Sequence, residues 1–464
     1  MFNKISSPIS SVKSLVMHPI FIIAIAGILV RLMLFPIATV GYDSDFWATI
    51  IRNLNSGQGL YGLEGYYYTP VWGYILSFMS MLQGLFLNIA DMGTRVIEAF
   101  PLEGYTNWFF SSTATTVSFN IMVKTAYLIS DLLVGYLIYW LIKDKTGDTK
   151  KATIGFALWF LCPLVIGVTS VSGMFDTFSV LFILLCIVLV RKDKLFLAGI
   201  IFTLAVLTKF FPAYLLFPLL AYIIVMHRED GTMVKSLSKA AIGAALAFVV
   251  IMLPQIIHGD LAQSILFATN RMGGGGDGSL VGFITAYVPI IFYISCMLVS
   301  FLLAIRLSKK DKDKLDDSLF KYLFFMVAFI FLYPPTPQYL VLLIPFLSIY
   351  IVMWDSKFKW SWLIISLGGI LFVFAGNFVL FLSLGTFTGV MSLDQIMSGV
   401  AWFQTPGFIG LTPMAAMYVT SAAIQYVGIL SAVVMMLREK YIERKESKDS
   451  GSVVQRKWSL SLFR

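Results

Sequence analysis

Two carboxylates one residue apart, Asp43 and Asp45, follow directly on the first long apolar run. A carboxylate within hydrogen-bond reach of a hydroxyl can take its proton, and a second one can position that hydroxyl. On a helix, residues two apart point nearly opposite ways; on extended backbone they share a face. The apolar run ends near Val40, so the sequence predicts an extended connection with both carboxylates converging at a membrane–water boundary. Acidic residues are also ordinary in exposed loops, and the neighbours argue for more than that. Tyr61, Tyr66, Tyr67, Tyr68 and Trp72 follow closely. Most aromatics at such a boundary are belt anchors, but aromatic faces, tyrosine hydroxyls and carboxylates together also suit a carbohydrate.

Other ionisable residues fall inside or at the ends of apolar runs, where charge is expensive. Arg31 and Asp131 lie mid-run; pairing inside a bundle and a functional role are both open. Asp176 and Lys209 fall at the same expected depth as Asp43 and Asp45. Carboxylates beside a fixed cation suit a lipid phosphate headgroup, and Arg52, Arg95 and Arg271 are further phosphate candidates. His258 is the one histidine expected on that side, with His18 and His227 opposite, which argues against a histidine-based triad or a His-rich zinc site there. Cys162, Cys186 and Cys296 read as small core hydrophobes. The segment "RMGGGGDGSL" reads as a flexible loop; without Walker spacing it is a weak phosphate cradle.

The elements that must position these groups are membrane helices. The chain has 464 residues, 58% hydrophobic and 13% charged, about half the charge of a soluble domain. Apolar runs of span length recur from end to end, leaving no room for a separate soluble domain. Residues 1–464 therefore read as one integral membrane domain, an all-α polytopic protein. Twelve spans are expected at about 19–39, 118–142, 152–170, 173–190, 195–210, 211–226, 240–257, 283–305, 319–334, 338–354, 360–382 and 413–436.

Charge orients them. All but six of the 34 lysines and arginines fall on one face, in segments such as "KDKTGDTKK", "RKDK" and "RLSKKDKDKLDD". The positive-inside rule makes that face cytoplasmic, with an uncleaved N-terminus (1–18) and a basic tail (438–464). The same rule absorbs the net charge of +9 without nucleic acid. The segment 69–90 is apolar enough to span, but if it did every later basic loop would flip. It therefore reads as a helix lying on the outer surface or re-entering the membrane, within a structured extracytoplasmic loop, 40–117. In that loop an amphipathic stretch from Phe46 stops at Gly57 and Gly59. The other outer segments are "GMFD" (173–176), "KFFP" (209–212), the glycine-rich loop 258–282, "YPPTPQY" (333–339) and a loop at 383–412.

With those residues in order, the chain resembles the GT-C class of membrane glycosyltransferases, most closely the PIG-M-like mannosyltransferases. The similarity runs over about residues 40–225. It rests on Asp43-Ser44-Asp45, the turn Gly57 to Tyr61, Tyr66-Tyr67-Tyr68-Thr69-Pro70, Ser130-Asp131-Leu132-Leu133, Gly173 to Asp176, and Lys209 to Pro212. The chain departs from that pattern at Tyr67 (Arg expected), Cys162-Pro163 (Asn expected before the proline) and Gln338-Tyr339 (His expected before the tyrosine).

The resemblance implies a GT-C-like bundle of about 12 transmembrane helices with interfacial helices in the first outer loop. It implies an inverting hexosyltransferase that uses a polyprenyl-phosphate sugar donor and a lipid or glycan acceptor. Asp43 and Asp45 would be catalytic, either of them the base. Lys209, Arg271 and Arg52 would bind the donor phosphate, and Tyr66, Tyr68, Asp176 and Gln338 the substrate. No cofactor is required, because a monophosphate leaving group does not demand a divalent ion; whether a metal binds stays open. The outer loops carry no N-x-S/T acceptor and "SLFR" is no retention signal, which favours a prokaryotic plasma membrane over the endoplasmic reticulum membrane. A polytopic transporter or lipid flippase is the alternative, set back by the lack of an internal repeat. A non-catalytic assembly subunit would tolerate loss of the aspartates.

Overall fold

Helices stop where the apolar runs meet proline, glycine or charge. The computed structural model describes residues 19–39, 41–61, 68–84, 94–96, 113–264, 280–333, 337–375, 385, 388–407 and 410–461. Helix α1 is Pro19–Leu34, α2 Gly41–Asn55 and α3 Pro70–Gly84. A short antiparallel pair, β1 (Thr94–Val96) and β2 (Thr113–Thr115), sets Arg95 opposite Ala114. Then come α4 (Val117–Thr146), α5 (Thr149–Phe160) and α6 (Pro163–Ile166). Next are α7 (Asp176–Arg191), α8 (Leu195–Val206), α9 (Leu216–His227) and α10 (Met233–His258). The chain closes with α11 (Leu280–Leu307), α12 (Lys312–Ile330), α13 (Leu343–Met353), α14 (Lys359–Ala375), α15 (Leu393–Gln404) and α16 (Pro413–Ser461).

A helix stands at each of the twelve expected span positions. Five are long and apolar enough to cross a membrane alone: Val117–Thr146, Met233–His258, Tyr287–Leu307, Ser356–Ala375 and Pro413–Tyr441. The pair α5 and α6, bent by 43°, makes a sixth. Pro163 begins its second arm, and a π-helical turn, Gly167–Ser172, ends it at Gly173 with φ +77°. Several other expected spans are short apolar helices; the 16 residues of α1 rise only about 24 Å against a hydrocarbon core of about 30 Å. Helix lengths thus support an integral membrane protein.

One expectation is corrected here. The expected loop at 383–412 contains helix α15, opened by a capping box between Ser392 and Gln395; the spacing S-x-x-Q is the signal that would have found it. Helix α16 runs unbroken from the last expected span through the expected basic tail to Ser461.

Polar groups join the helices at three depths. Mid-bundle, the buried Arg31 guanidinium pairs with Asp131 at 3.0 Å and donates to the Gly27 and Phe160 carbonyls. Thr169 of the π-helical turn donates to the same carboxylate at 2.9 Å, and Trp159 to the Asp131 carbonyl. Arg31 and Asp131 are thus a structural staple between α1, α4 and the bent pair.

At one end the expected cytoplasmic segments touch one another. Arg191 pairs with Asp316 at 2.9 Å and Asp144 at 3.4 Å, Lys145 with Asp317, and Lys312 with Glu229. At the opposite end, His258 borders the Gly59 turn, and Thr69 donates to the Thr208 carbonyl at 3.1 Å. The two sets of loops separated by charge in the sequence are thus separated in space.

Burial alone would raise the Asp316 carboxyl, but hydrogen bonds from Tyr222 and Arg191 and the Arg191 charge outweigh it and hold its pKa below the ordinary value. A lowered folded-state pKa gives stability that is present above the unfolded value, about 3.9, and lost as pH falls through the folded one. The thermal midpoint should therefore fall more steeply below about pH 4 in the wild type than in Asp316→Asn.

Between α8 and α10 the backbones nearly touch. A Cβ at Gly199 would stand 2.0 Å from the Ala240 carbonyl oxygen, and one at Gly243 2.0 Å from that of Phe196. Small residues allow such approach where lipid offers no hydrophobic drive between helices. Gly243→Leu is expected to destabilise by about 1–3 kcal/mol, read as a lowered unfolding midpoint in detergent.

Candidate active site

Helix α2 begins at Gly41, so Asp43 lies in its first turn. This overturns the extended reading of Asp43 and Asp45. Asp43, Trp47 and Ile50 follow helical spacing on one stripe, and Trp47 and Ile50 are fully buried. Asp45 falls about 200° round the axis, on the row of Thr49 and Arg52. The two carboxylates therefore do not share a face by backbone position; the side chain of Asp45 lies outside the described set. The helix ends near the expected glycines, with Gly57 and Gly59 at φ +78° and +74°.

Ser44, between the aspartates, is buried and lies 3.1 Å from the Thr115 hydroxyl of β2. Thr115 also lies 2.7 Å from the Asn120 side-chain oxygen at the start of α4. Behind the turn, the buried Lys124 ammonium donates to the carbonyls of Phe35, at 3.1 Å, and Ala38. These contacts fix the chain on both sides of Asp43.

Tyr68 brings the first loop to the carboxylate. Its hydroxyl lies 3.4 Å from Asp43 Oδ1, at the long edge of a hydrogen bond. Its carbonyl accepts from the Tyr61 hydroxyl at 2.7 Å. The Lys209 ammonium lies 5.0 Å from the Tyr68 ring centroid, 4.2 Å from Phe175 and 4.7 Å from Tyr339, within cation–π range of each. It pairs with Asp176 at 3.4 Å, and both side chains are only 4% exposed.

Two breaks in the helices make this possible. The connection after α8 drops Lys209 between Thr208 and a 3₁₀ turn, Phe211–Leu215. Gly173 turns the chain so that Asp176 opens α7, where the helix dipole favours a carboxylate. Among the described residues, neither oxygen of Asp176 accepts a hydrogen bond. An aromatic bed supports the group: Trp72 stacks on Phe175 at 5.0 Å, and Trp47 meets Tyr68 at 5.4 Å.

Of the expected site residues, Asp43, Tyr68, Asp176 and Lys209 are thus joined by contacts. Gln338 is half-buried beside Tyr339, the residue that reaches Lys209. Among the described residues Arg52 makes no contact with the cluster: it is exposed and donates to Thr49 Oγ1 at 2.7 Å in its own helix. Tyr66, Arg271 and the glycine-rich segment lie outside the described residues. The sequence reading missed Tyr339 as a ring on the lysine, and it missed Tyr127. The Tyr127 phenol is fully buried within electrostatic reach of Asp43 and Asp176, and its hydroxyl has no hydrogen-bond partner among the described residues. A tyrosine one helical turn before Ser130-Asp131 was the available signal. Among the described residues no three His, Cys, Asp or Glu side chains gather as a metal site.

Residues 101–258 match the family of dolichyl-phosphate-mannose-protein mannosyltransferases. The match covers Asp131, Asp176 and Lys209, and it starts after Asp43. It points to a glycosyltransferase of GT-C type and gives no support to the PIG-M-like subtype in particular. No curated protein matches the chain.

Proposed function

We propose that the protein is a membrane glycosyltransferase that moves a hexose, mannose first among them, from a polyprenyl-phosphate donor to a lipid-linked or cell-surface hydroxyl. The reaction takes place at the extracytoplasmic end of a bundle crossing the membrane twelve times. The observation that carries this reading is the convergence of Asp43, Tyr68, Asp176 and Lys209 at the end opposite the basic loops. The family matched by residues 101–258 uses, by its description, a dolichyl-phosphate-mannose donor, which supports the donor class; the acceptor is left open.

The residues suit a single displacement. The acceptor oxygen forms a bond to the anomeric carbon on the face opposite the phosphate. The bond from that carbon to the phosphate oxygen breaks, and polyprenyl phosphate leaves with the electron pair. The acceptor proton passes to the Asp43 carboxylate, so the anomeric centre inverts. Asp43 is favoured over Asp45 because the inward stripe of α2 is its row. Asp176 orients Lys209 and has acceptor capacity for a substrate hydroxyl. The Lys209 ammonium, held by three rings, opposes charge growing on the departing phosphate in a water-poor setting where such interactions are strong. The rings of Tyr68 and Tyr339 offer faces for the sugar.

The test is donor usage. Purified protein in lipid is given polyprenyl-phosphate mannose or polyprenyl-phosphate glucose with a membrane lipid extract. Release of free polyprenyl phosphate with the mannose donor, dependent on the extract, is expected. No release with either donor overturns the reading.

A further inference from the structure

The basic end carries a pocket of about 240 Å³, away from the cluster that the transfer reaction uses. Its walls come from the turn after α11 (Lys310), the first turns of α12 (Lys314, Lys321), and α16 (Lys440). Tyr322 and Tyr350, both buried, form its floor. Among the described residues the lining carries four lysines and two carboxylates, Asp317 and Glu439; both carboxylates are engaged, and Lys321 and Lys440 have partners of their own. Lys145 pairs with Asp317 at 3.0 Å from outside the pocket, and the Tyr350 hydroxyl donates to Glu439. Lys310 and Lys314 are exposed and form no ion pair among the described residues. Lys440 is aimed by two rings, its ammonium 4.6 Å from Tyr322 and 5.2 Å from Phe325.

Two exposed lysines with no ion pair among the described residues, a tyrosine floor and this volume select a small anion. Pockets for drug-sized ligands span roughly 300–1,000 Å³, so a nucleotide is too large. The pocket adjoins the Arg191–Asp316 cluster, since Asp317 of its wall follows Asp316, at the end that the proposed function sets against the cytoplasmic headgroups. On α16 the exposed Leu437 and Tyr441 flank Lys440 and offer an apolar track beside the mouth. Basic pockets between helices on the cytoplasmic side are suited to anionic lipid headgroups. We propose that this pocket holds the phosphate of an anionic phospholipid of the cytoplasmic leaflet.

The test is intact-protein mass spectrometry on the full chain in detergent, with chain-matched phosphatidylglycerol or phosphatidylcholine added in equal amounts. The probe variant is Lys310→Gln/Lys314→Gln, two exposed positions whose loss spares the fold. A lysine near an anionic lipid surface contributes about fivefold. Phosphatidylglycerol should therefore be retained over phosphatidylcholine by the wild type, with that preference cut by roughly twenty- to thirtyfold in the double variant. Equal retention of the two lipids, or a preference unchanged by the variant, overturns the proposal. So does displacement of phosphatidylglycerol by millimolar inorganic phosphate, which would make the pocket a site for free phosphate.

Discussion

Asp43→Asn should lower sugar transfer by about 100- to 10,000-fold, the usual contribution of a positioned general base. The fold should survive, because Asp43 is half-buried, its contact with Tyr68 is long, and the amide that replaces the carboxylate keeps its shape and one acceptor oxygen; a typical hydrogen bond contributes about 1 kcal/mol. The amide keeps the shape and removes the proton acceptor, so the loss should fall on kcat more than on KM. Asp45→Asn should cost far less, since its row on α2 is that of Arg52 and not of Trp47. Transfer rates of the two purified variants, beside their thermal midpoints, check this. Equal losses at both positions would return the pair to a shared site and refute the helical assignment of roles.

The second large effect concerns Asp176 and Lys209. Each is almost fully buried, so removing either alone takes from the other buried charge the partner that stands 3.4 Å away. Asp176→Asn and Lys209→Met should each destabilise by about 3–5 kcal/mol. The double variant should regain much of that stability, because neither charge then remains. Transfer should stay low in the double variant, by about 100-fold or more, since the fixed cation is gone. Thermal unfolding in detergent and label transfer on the same samples separate the two roles. A double variant no more stable than the worse single one would show that the pair is not coupled. A double variant with near wild-type transfer would remove Lys209 from the chemistry.

Much of this site was legible because it follows depth. Residues that the charge pattern sent to one end, Asp43, Tyr68, Asp176 and Lys209, do meet there. The breaks were legible too: glycine at 57, 59 and 173 has the left-handed backbone that favours this residue. The error at Asp43-Ser44-Asp45 has a physical cause. The end of an apolar run reads as the start of extended chain, but Trp47, Ile50 and Ile51 supply a helical stripe that burial stabilises. Tyr127 and Tyr339 were missed because a tyrosine in an apolar run carries no signal of what it faces. The span expected over 152–170 was drawn as continuous for a related reason: hydropathy continues across Pro163, where the helix bends by 43°, whereas the break at Lys209-Phe-Phe-Pro212 was legible and is present.

The most direct measurement follows the label. Wild-type protein and Asp43→Asn, each in lipid vesicles, receive polyprenyl-phosphate mannose labelled in the sugar, together with a membrane lipid extract. The account predicts that wild-type protein moves label from the prenyl phosphate into an acceptor with inverted anomeric configuration, and that Asp43→Asn does not. Label that crosses the bilayer still joined to its prenyl phosphate, equally in both proteins, would contradict it and make the protein a lipid transporter.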